Sequence, residues 1–288
     1  MNPYVIFTDS ACDIPVSMLE SWGVKHCALT FTFQDDERQY SDNDMPSEAF
    51  YAKMRQGGIA KTSAVNVSEF RSLFEEELKL GNDILYIGFS SGLSATCNSG
   101  AIAAQELQAL YPERKLIAVD SLGASAGFGL LLYLAVMEKE KGSDIHEVAQ
   151  FVLDHRLHIC HWFTVDDLVY LKRGGRVSPT TAVVGNLLGI KPVLHVDDEG
   201  HLINMLKVRG RKNAIRMLAD KYTELVLDKS APVFISHGDC MEDAQLLADI
   251  LREQHGVEVK LITNVGSVIG AHSGPGTLAL FFVTDKKR

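Results

Sequence analysis

No stretch of this 288-residue chain approaches the roughly 18 consecutive apolar residues of a membrane-spanning helix. The opening Met1-Asn-Pro-Tyr-Val-Ile-Phe-Thr8 has no basic segment ahead of an apolar one, so no secretory signal is expected and the expected location is cytoplasmic. Cysteine is scarce. The five present (Cys12, Cys27, Cys97, Cys160, Cys240) are odd in number, widely spaced and lack a Cys-x-x-Cys pair, against both a disulfide framework and a cysteine-based zinc site. Neither Gly-x-x-x-x-Gly-Lys-[Ser/Thr] nor Gly-x-Gly-x-x-Gly occurs, so nothing points to a bound nucleotide or other cofactor. Basic residues are outnumbered, 28 against 37 acidic, for a net charge of −9, which disfavours a general nucleic-acid binder.

What is present is ordinary globular material, with 46% hydrophobic and 23% charged residues. At this length it makes one large domain or two ordinary ones. The charge is unevenly placed: Lys172 to Arg216 holds nine basic residues and only Asp197, Asp198 and Glu199 as acids. That window suits an acidic protein partner, a nucleic-acid contact, or a plain solvated surface.

The first half alternates strand-like and helix-like segments. Tyr4–Thr8, Lys25–Phe33, Ile84–Phe89 and Leu116–Asp120 read as strands. Helices are expected from Pro46, over Ser68–Leu80 and Ala101–Tyr111, and from Ser121–Gly129 to Met137. This alternation predicts a parallel, Rossmann-like sheet covered by helices. Beyond Lys141 hairpins replace crossovers. His158–Val165 reads as a strand, Asp166–Lys172 as a short helix, and Lys191–Val196 with His201–Val208 as a hairpin around Asp197-Asp198-Glu199-Gly200. A helix over Lys212–Leu227, strand Val233–Ser236, helix Glu242–His255, strand Val257–Thr263, a glycine-rich turn and strand Leu278–Val283 complete the chain. The expected fold class is α/β, an N-terminal parallel-sheet domain over residues 1–155 followed by a C-terminal α+β domain with hairpins over 156–288.

Three segments carry polar chemistry. Gly88-Phe-Ser-Ser-Gly-Leu-Ser-Ala-Thr-Cys-Asn-Ser-Gly100 leaves a strand and opens a helix, so free amides and hydroxyls (Ser90, Ser91, Ser94, Thr96, Ser99) converge where an anionic head group would be welcome. Turn and cap chemistry accounts for part of that set without a ligand. Gly123-Ala-Ser125-Ala-Gly127 matches the Gly-x-Ser-x-Gly nucleophile elbow and gives an alternative reading, a serine esterase or thioesterase using Ser125 with His272 or His237. Small residues that let a helix approach a sheet produce the same pattern. His272 stands among Gly266, Gly270, Gly274, Pro275 and Gly276, a backbone bent for a purpose, where the imidazole can hold an anion, act as a base or make a structural hydrogen bond. His155, His158 and His161 would share a face only in a helix, and Cys160–Val165 reads as a strand, so no metal site is expected.

Taken in order, these segments resemble the DegV family: Phe7-Thr-Asp-Ser-Ala-Cys-Asp-Ile-Pro15, Lys61-Thr62-Ser63, Ser90-Ser-Gly-Leu-Ser-Ala-Thr96, Asp120-Ser121 with Ser125-x-Gly127-x-Gly129, Leu171-Lys-Arg-Gly-Gly-Arg-Val-Ser178, Lys191-Pro192 and Gly270-Ala-His272-Ser-Gly-Pro-Gly276. The family's usual Thr-Ser-Gln-Pro-Ser reads Thr62-Ser63-Ala64-Val65-Asn66 here, and its Ser-Gly-Thr reads Ser94-Ala95-Thr96.

The resemblance implies a long-chain fatty acid buried between two domains. It also implies a non-catalytic role as the lipid-binding subunit of a bacterial fatty acid kinase, in phospholipid metabolism. A separate ATP-binding subunit would phosphorylate the presented carboxylate. By matching motif positions Thr62, Ser94 and His272 would hold the carboxylate, with Ser63, Ser91, Thr96, Asn98 and Ser125 as secondary candidates. Arg173 and Arg209 would dock the kinase subunit. At about 0.8 kcal/mol per buried methylene, a fourteen-methylene tail gains roughly 11 kcal/mol before ordering costs, so tail burial dominates affinity and the polar end fixes orientation.

Overall fold

The computed structural model describes residues 3–177, 189–226 and 228–288; Ser178 of the Leu171–Ser178 motif and Leu227, the expected end of a helix, lie outside them. In chain order the first half runs β1 (Tyr4–Asp9), α1 (Val16–Ser21), β2 (Val24–Cys27), β3 (Thr30–Phe33), β4 (Tyr40–Ser41), α2 (Ser47–Arg55), β5 (Ala60–Ser63) and α3 (Val67–Lys79). It continues through β6 (Asp83–Gly88), α4 (Thr96–Leu110), β7 (Leu116–Asp120), α5 (Ser125–Glu140) and α6 (Ile145–His155). The second half runs β8 (Ile159–Thr164), α7 (Val169–Arg173), β9 (Ile190–Val196), β10 (Leu202–Arg209) and α8 (Arg211–Leu225). It closes with β11 (Phe234–His237), α9 (Met241–His255), β12 (Leu261–Asn264), α10 (Ser267–Ser273) and β13 (Leu278–Val283).

The expected parallel sheet is there, in the order β2-β1-β6-β7. Every residue of β6 is buried, as befits an inner strand covered on both faces. The second half forms a mixed six-stranded sheet, β10-β9-β8-β13-β11-β12, whose β9–β10 hairpin matches the sequence expectation. Its pairs are antiparallel except β11–β12. The mixed α/β class is therefore as the sequence indicates.

α5 ties these layers together. Ser125 to Leu132 are all buried, an apolar helix of the kind found inside a protein rather than on its surface. It packs on β8, β11 and β13 and against α6. The principal apolar core accordingly runs without interruption from Ile6, Leu85 and Phe128 to Phe163, Phe234 and Phe281.

Three expectations are corrected. Lys25–Phe33 is not one strand: it breaks after Cys27, and β3 leaves to form a separate antiparallel sheet, β4-β3-β5, around its own aromatic cluster of Phe31, Phe33, Phe50 and Tyr51. The strand expected over Val257–Thr263 is confined to β12. The glycine-rich turn that follows contains helix α10, and this matters most for the site. α10 forms because carboxylates distant in sequence accept its first amides: Gly266 N donates to Asp13 Oδ1 at 3.0 Å and Val268 N to Asp42 Oδ1 at 2.9 Å. α6, opened by a reciprocal Asp144/Glu147 capping box, is an element the sequence reading does not include.

Candidate functional site

A cavity of about 290 Å³ lies where the parallel sheet, the mixed sheet, β5 and α10 meet. Most of its wall is apolar, including Leu29, Phe89, Leu93, Phe163, Leu171, Val196, Val265, Val268, Ile269 and Phe281. A largely apolar wall with a few polar groups is the form of a site for an amphiphilic small molecule.

The polar groups gather on three segments. Thr62 comes from β5, Ser94 from the loop between β6 and α4, and His272 from the last turn of α10. Thr62 Oγ1 and His272 Nε2 are hydrogen-bonded at 2.8 Å, and all three side chains line the cavity. Ser94 Oγ accepts from Thr96 N at 3.2 Å and lies 2.9 Å from Thr96 Oγ1, so Thr96 is buried behind Ser94 and braces it. Burial pushes His272 down to about 4, and the nearby Arg176 pushes in the same direction, so the imidazole is neutral at pH 7. Gly174 leaves room for this ring: a Cβ there would collide with His272 Nδ1.

Arg176 went unremarked in the sequence, absorbed into a window read as surface charge. It lines the cavity, and its Nε and Nη2 donate to Leu93 O at 3.2 and 3.1 Å, one residue before Ser94. It also donates to Gly174 O. Among the described residues no carboxylate pairs with it, and it is the one permanent charge on the cavity wall. An anion seated by Thr62, Ser94 and His272 would thus lie near a half-buried guanidinium, the better of the two cationic side chains for a desolvated carboxylate.

The secondary candidates divide. Ser63 is exposed, because successive strand residues point to opposite faces and Thr62 takes the inner one. Ser91 and Asn98 are also exposed; the amide of Ser91 donates to the Asp120 carboxylate at 3.3 Å. None of these three lines the cavity. Ser125 does, and is buried. Arg173 and Arg209 are exposed; the Arg173 guanidinium stands 5.7 Å from the centre of the Tyr170 ring. His155, His158 and His161 fall on α6, the turn after it and β8. Among the described residues no cluster of three or more His, Cys, Asp or Glu is arranged to hold a metal.

The nucleophile-elbow reading meets a mixed result. Ser125 has φ +53°, in the left-handed region that such elbows use, and follows a strand and precedes a helix. Its hydroxyl, however, donates to Asp13 and lies 2.9 Å from Ser236 Oγ, with no imidazole in hydrogen-bond reach. The flanking glycines have packing roles: a Cβ on Gly127 would strike His161 and Phe281, and one on Gly129 would strike Ile14. Ser125 thus makes a polar contact with a carboxyl group and a second serine, and among the described residues the serine–histidine pairing expected for the esterase reading is not formed.

Comparison with known proteins agrees with this architecture. Residues 3–285 match the profile of a family described as uncharacterised protein, DegV family. The DegV domain-containing protein CPE0026 of Clostridium perfringens is 44% identical over 100% of this chain and 99% of its own. Hypothetical protein TM841 from Thermotoga maritima, whose structure is described as revealing fatty acid binding function, is 30% identical, with a TM-score of 0.84 over 99% of this chain and 100% of that one. DegV from Bacillus subtilis, described as a fatty acid binding protein, is 26% identical, also with a TM-score of 0.84, over 99% and 100%. No helix among the described residues is long and apolar enough to cross a membrane.

Proposed function

The chain belongs to the DegV family, and from that premise we propose that it is a cytoplasmic, non-catalytic carrier of long-chain fatty acids. In this reading residues 1–155 supply the carboxylate-binding loops with Thr62 and Ser94, and residues 156–288 add His272 and Arg176 and complete the tunnel. The carrier presents its cargo to a separate ATP-binding kinase subunit, which makes the acyl phosphate. One observation supports it above the rest. A largely apolar cavity is lined by Thr62 and His272 in mutual contact, and by Ser94.

The chemistry is coherent. A carboxylate taken out of water needs donors. The hydroxyls of Thr62 and Ser94 are donors, and so is a neutral imidazole on whichever nitrogen carries its proton. The Arg176 guanidinium supplies the opposite charge. The tail contributes most of the affinity through burial, and the polar end decides which atom faces outward. A kinase subunit would meet that end through the exposed Arg173 and Arg209.

Native mass spectrometry of the purified protein tests the first half of this reading: a long-chain fatty acid should be retained. Reconstitution with an ATP-binding kinase subunit tests the second, with acyl phosphate formed only when both proteins are present. Hydrolysis of an activated ester that disappears in Ser125→Ala would instead establish the esterase alternative.

A further inference from the structure

Val268, Ile269, His272 and Ser273 all line the cavity, so one face of α10 runs along it. The head-group cluster stands at the C-terminal end of that helix. About 9 Å away along the axis, at 1.5 Å per residue, its N-terminal end is held by Asp13 through Gly266 N. The other oxygen of Asp13 accepts from Ser125 Oγ, and Ser236 Oγ lies 2.9 Å beyond. Ser125 and Ser236 are both buried and both line the cavity. Away from the Thr62–His272 contact, the largely apolar wall therefore carries a pair of hydroxyls backed by a carboxyl group.

Its proton arrangement leaves capacity to spare. Ser125 gives its proton to Asp13, which leaves Ser125 Oγ to accept the proton of Ser236. Ser236 Oγ then has lone pairs with no other partner among the described residues. Thr277, which donates to Gly274 O at 2.7 Å at the C-terminal end of α10, also lines the cavity and keeps acceptor capacity. Ser273, next to His272 at the head-group end, lines the cavity, is 5% exposed, and its Oγ has no partner among the described residues. An unsubstituted tail would remove water from these groups and return nothing.

We propose that Ser125 and Ser236 form a second polar subsite that takes a neutral hydroxyl on the acyl tail, so that the cavity accepts mid-chain hydroxy fatty acids. This rests on the fatty-acid reading and names a substrate class within it. A hydroxyl fits because it can donate to Ser236. A second carboxylate fits less well, since its charge would be brought beside the Asp13 carboxyl, which burial and the neighbouring Asp42 already push well above its ordinary value.

The test is competition against labelled palmitate on lipid-free full-length protein, using monohydroxypalmitates whose hydroxyl moves from the carboxyl end to the methyl end. Mid-chain isomers should bind at least as tightly as palmitate, and isomers substituted near the methyl end about tenfold more weakly. Ser236→Ala should weaken the preferred isomer about tenfold and leave palmitate unchanged or slightly tighter. A merely structural serine would lose both ligands alike. Palmitate binding with every hydroxy isomer weaker, or equal losses in Ser236→Ala, overturns this inference alone. Failure of the wild-type protein to bind palmitate overturns the fatty-acid reading and this inference with it.

Discussion

Thr62 and His272 are separated by 210 positions in the chain, yet Thr62 Oγ1 and His272 Nε2 are 2.8 Å apart. The contact joins β5, in the small antiparallel sheet, to the last turn of α10, so this polar part of the cavity wall is assembled from both halves of the sequence. Replacing His272 by Ala, or Ser94 by Ala, should leave the fold intact and weaken palmitate binding about tenfold each, the order expected for one hydrogen bond to a charged group. Acyl-phosphate formation should fall further than binding, because orientation is lost as well. Titration of palmitate together with a coupled kinase assay checks both, and an unchanged Ser94/His272 double variant would remove these residues from the site.

Gly174 tests the same geometry from behind. Its φ of −73° suits any L-residue, so Gly174→Ala imposes no backbone strain. Its new methyl would occupy the place of His272 Nδ1. Palmitate affinity should drop by about the same factor as in His272→Ala, with the thermal midpoint shifted by only a few degrees. A full-strength binder would show that the ring's position is not required.

Arg176 predicts a change in selectivity rather than in overall affinity. Arg176→Gln should weaken palmitate relative to hexadecanol about tenfold or more, because only the acid carries a charge for the guanidinium to meet. Equal losses for acid and alcohol would limit Arg176 to tying down Leu93.

Two buried groups should tilt stability with pH in opposite directions. His272 is held at about 4, below its ordinary 6.5, so the unfolded chain takes up its proton first and stability is lost as pH falls from 6.5 to about 4. Burial raises Asp42 to about 6 from 3.8, so the folded chain takes up that proton first and stability is gained as pH falls from about 6 to 4. Urea unfolding at a series of pH values should show wild type losing ground to His272→Gln on acidification. It should gain ground on Asp42→Asn, each by up to about 3 kcal/mol. No effect of pH on either difference would contradict these assignments.

The parallel sheet was legible because β1, β6 and β7 are short buried runs with turn residues at their ends. The β9–β10 hairpin was equally plain from its Asp-Asp-Glu-Gly turn. α10 was not legible. Seven residues with a glycine in their midst have little helical preference of their own, and the carboxylates that hold the helix start lie more than 200 positions away, at Asp13 and Asp42. β3 and β5 were obscured for a similar reason, since their pairing is long-range and Ala28-Leu29 gives no turn signal. Thr62, Ser94 and His272 came from resemblance to a family, with the residue pattern alone suggesting only an anion-friendly loop and an unusual histidine. Arg176 was hidden by its neighbours: among nine basic residues in one window, nothing local marks the one that reaches the cavity.

The grip of Asp13 and Asp42 on α10 has a practical corollary. Thr263 Oγ1 donates to Asp13 O and Tyr51 OH to Val265 O, so the segment carrying His272 is moored at four points to residues from the first fifth of the polypeptide. Expressing either half as a separate fragment would strand carboxylates on one piece and unsatisfied amides on the other. A split version would regain its pocket only by co-folding, which makes reassembly of the two fragments a readout for the integrity of this mooring.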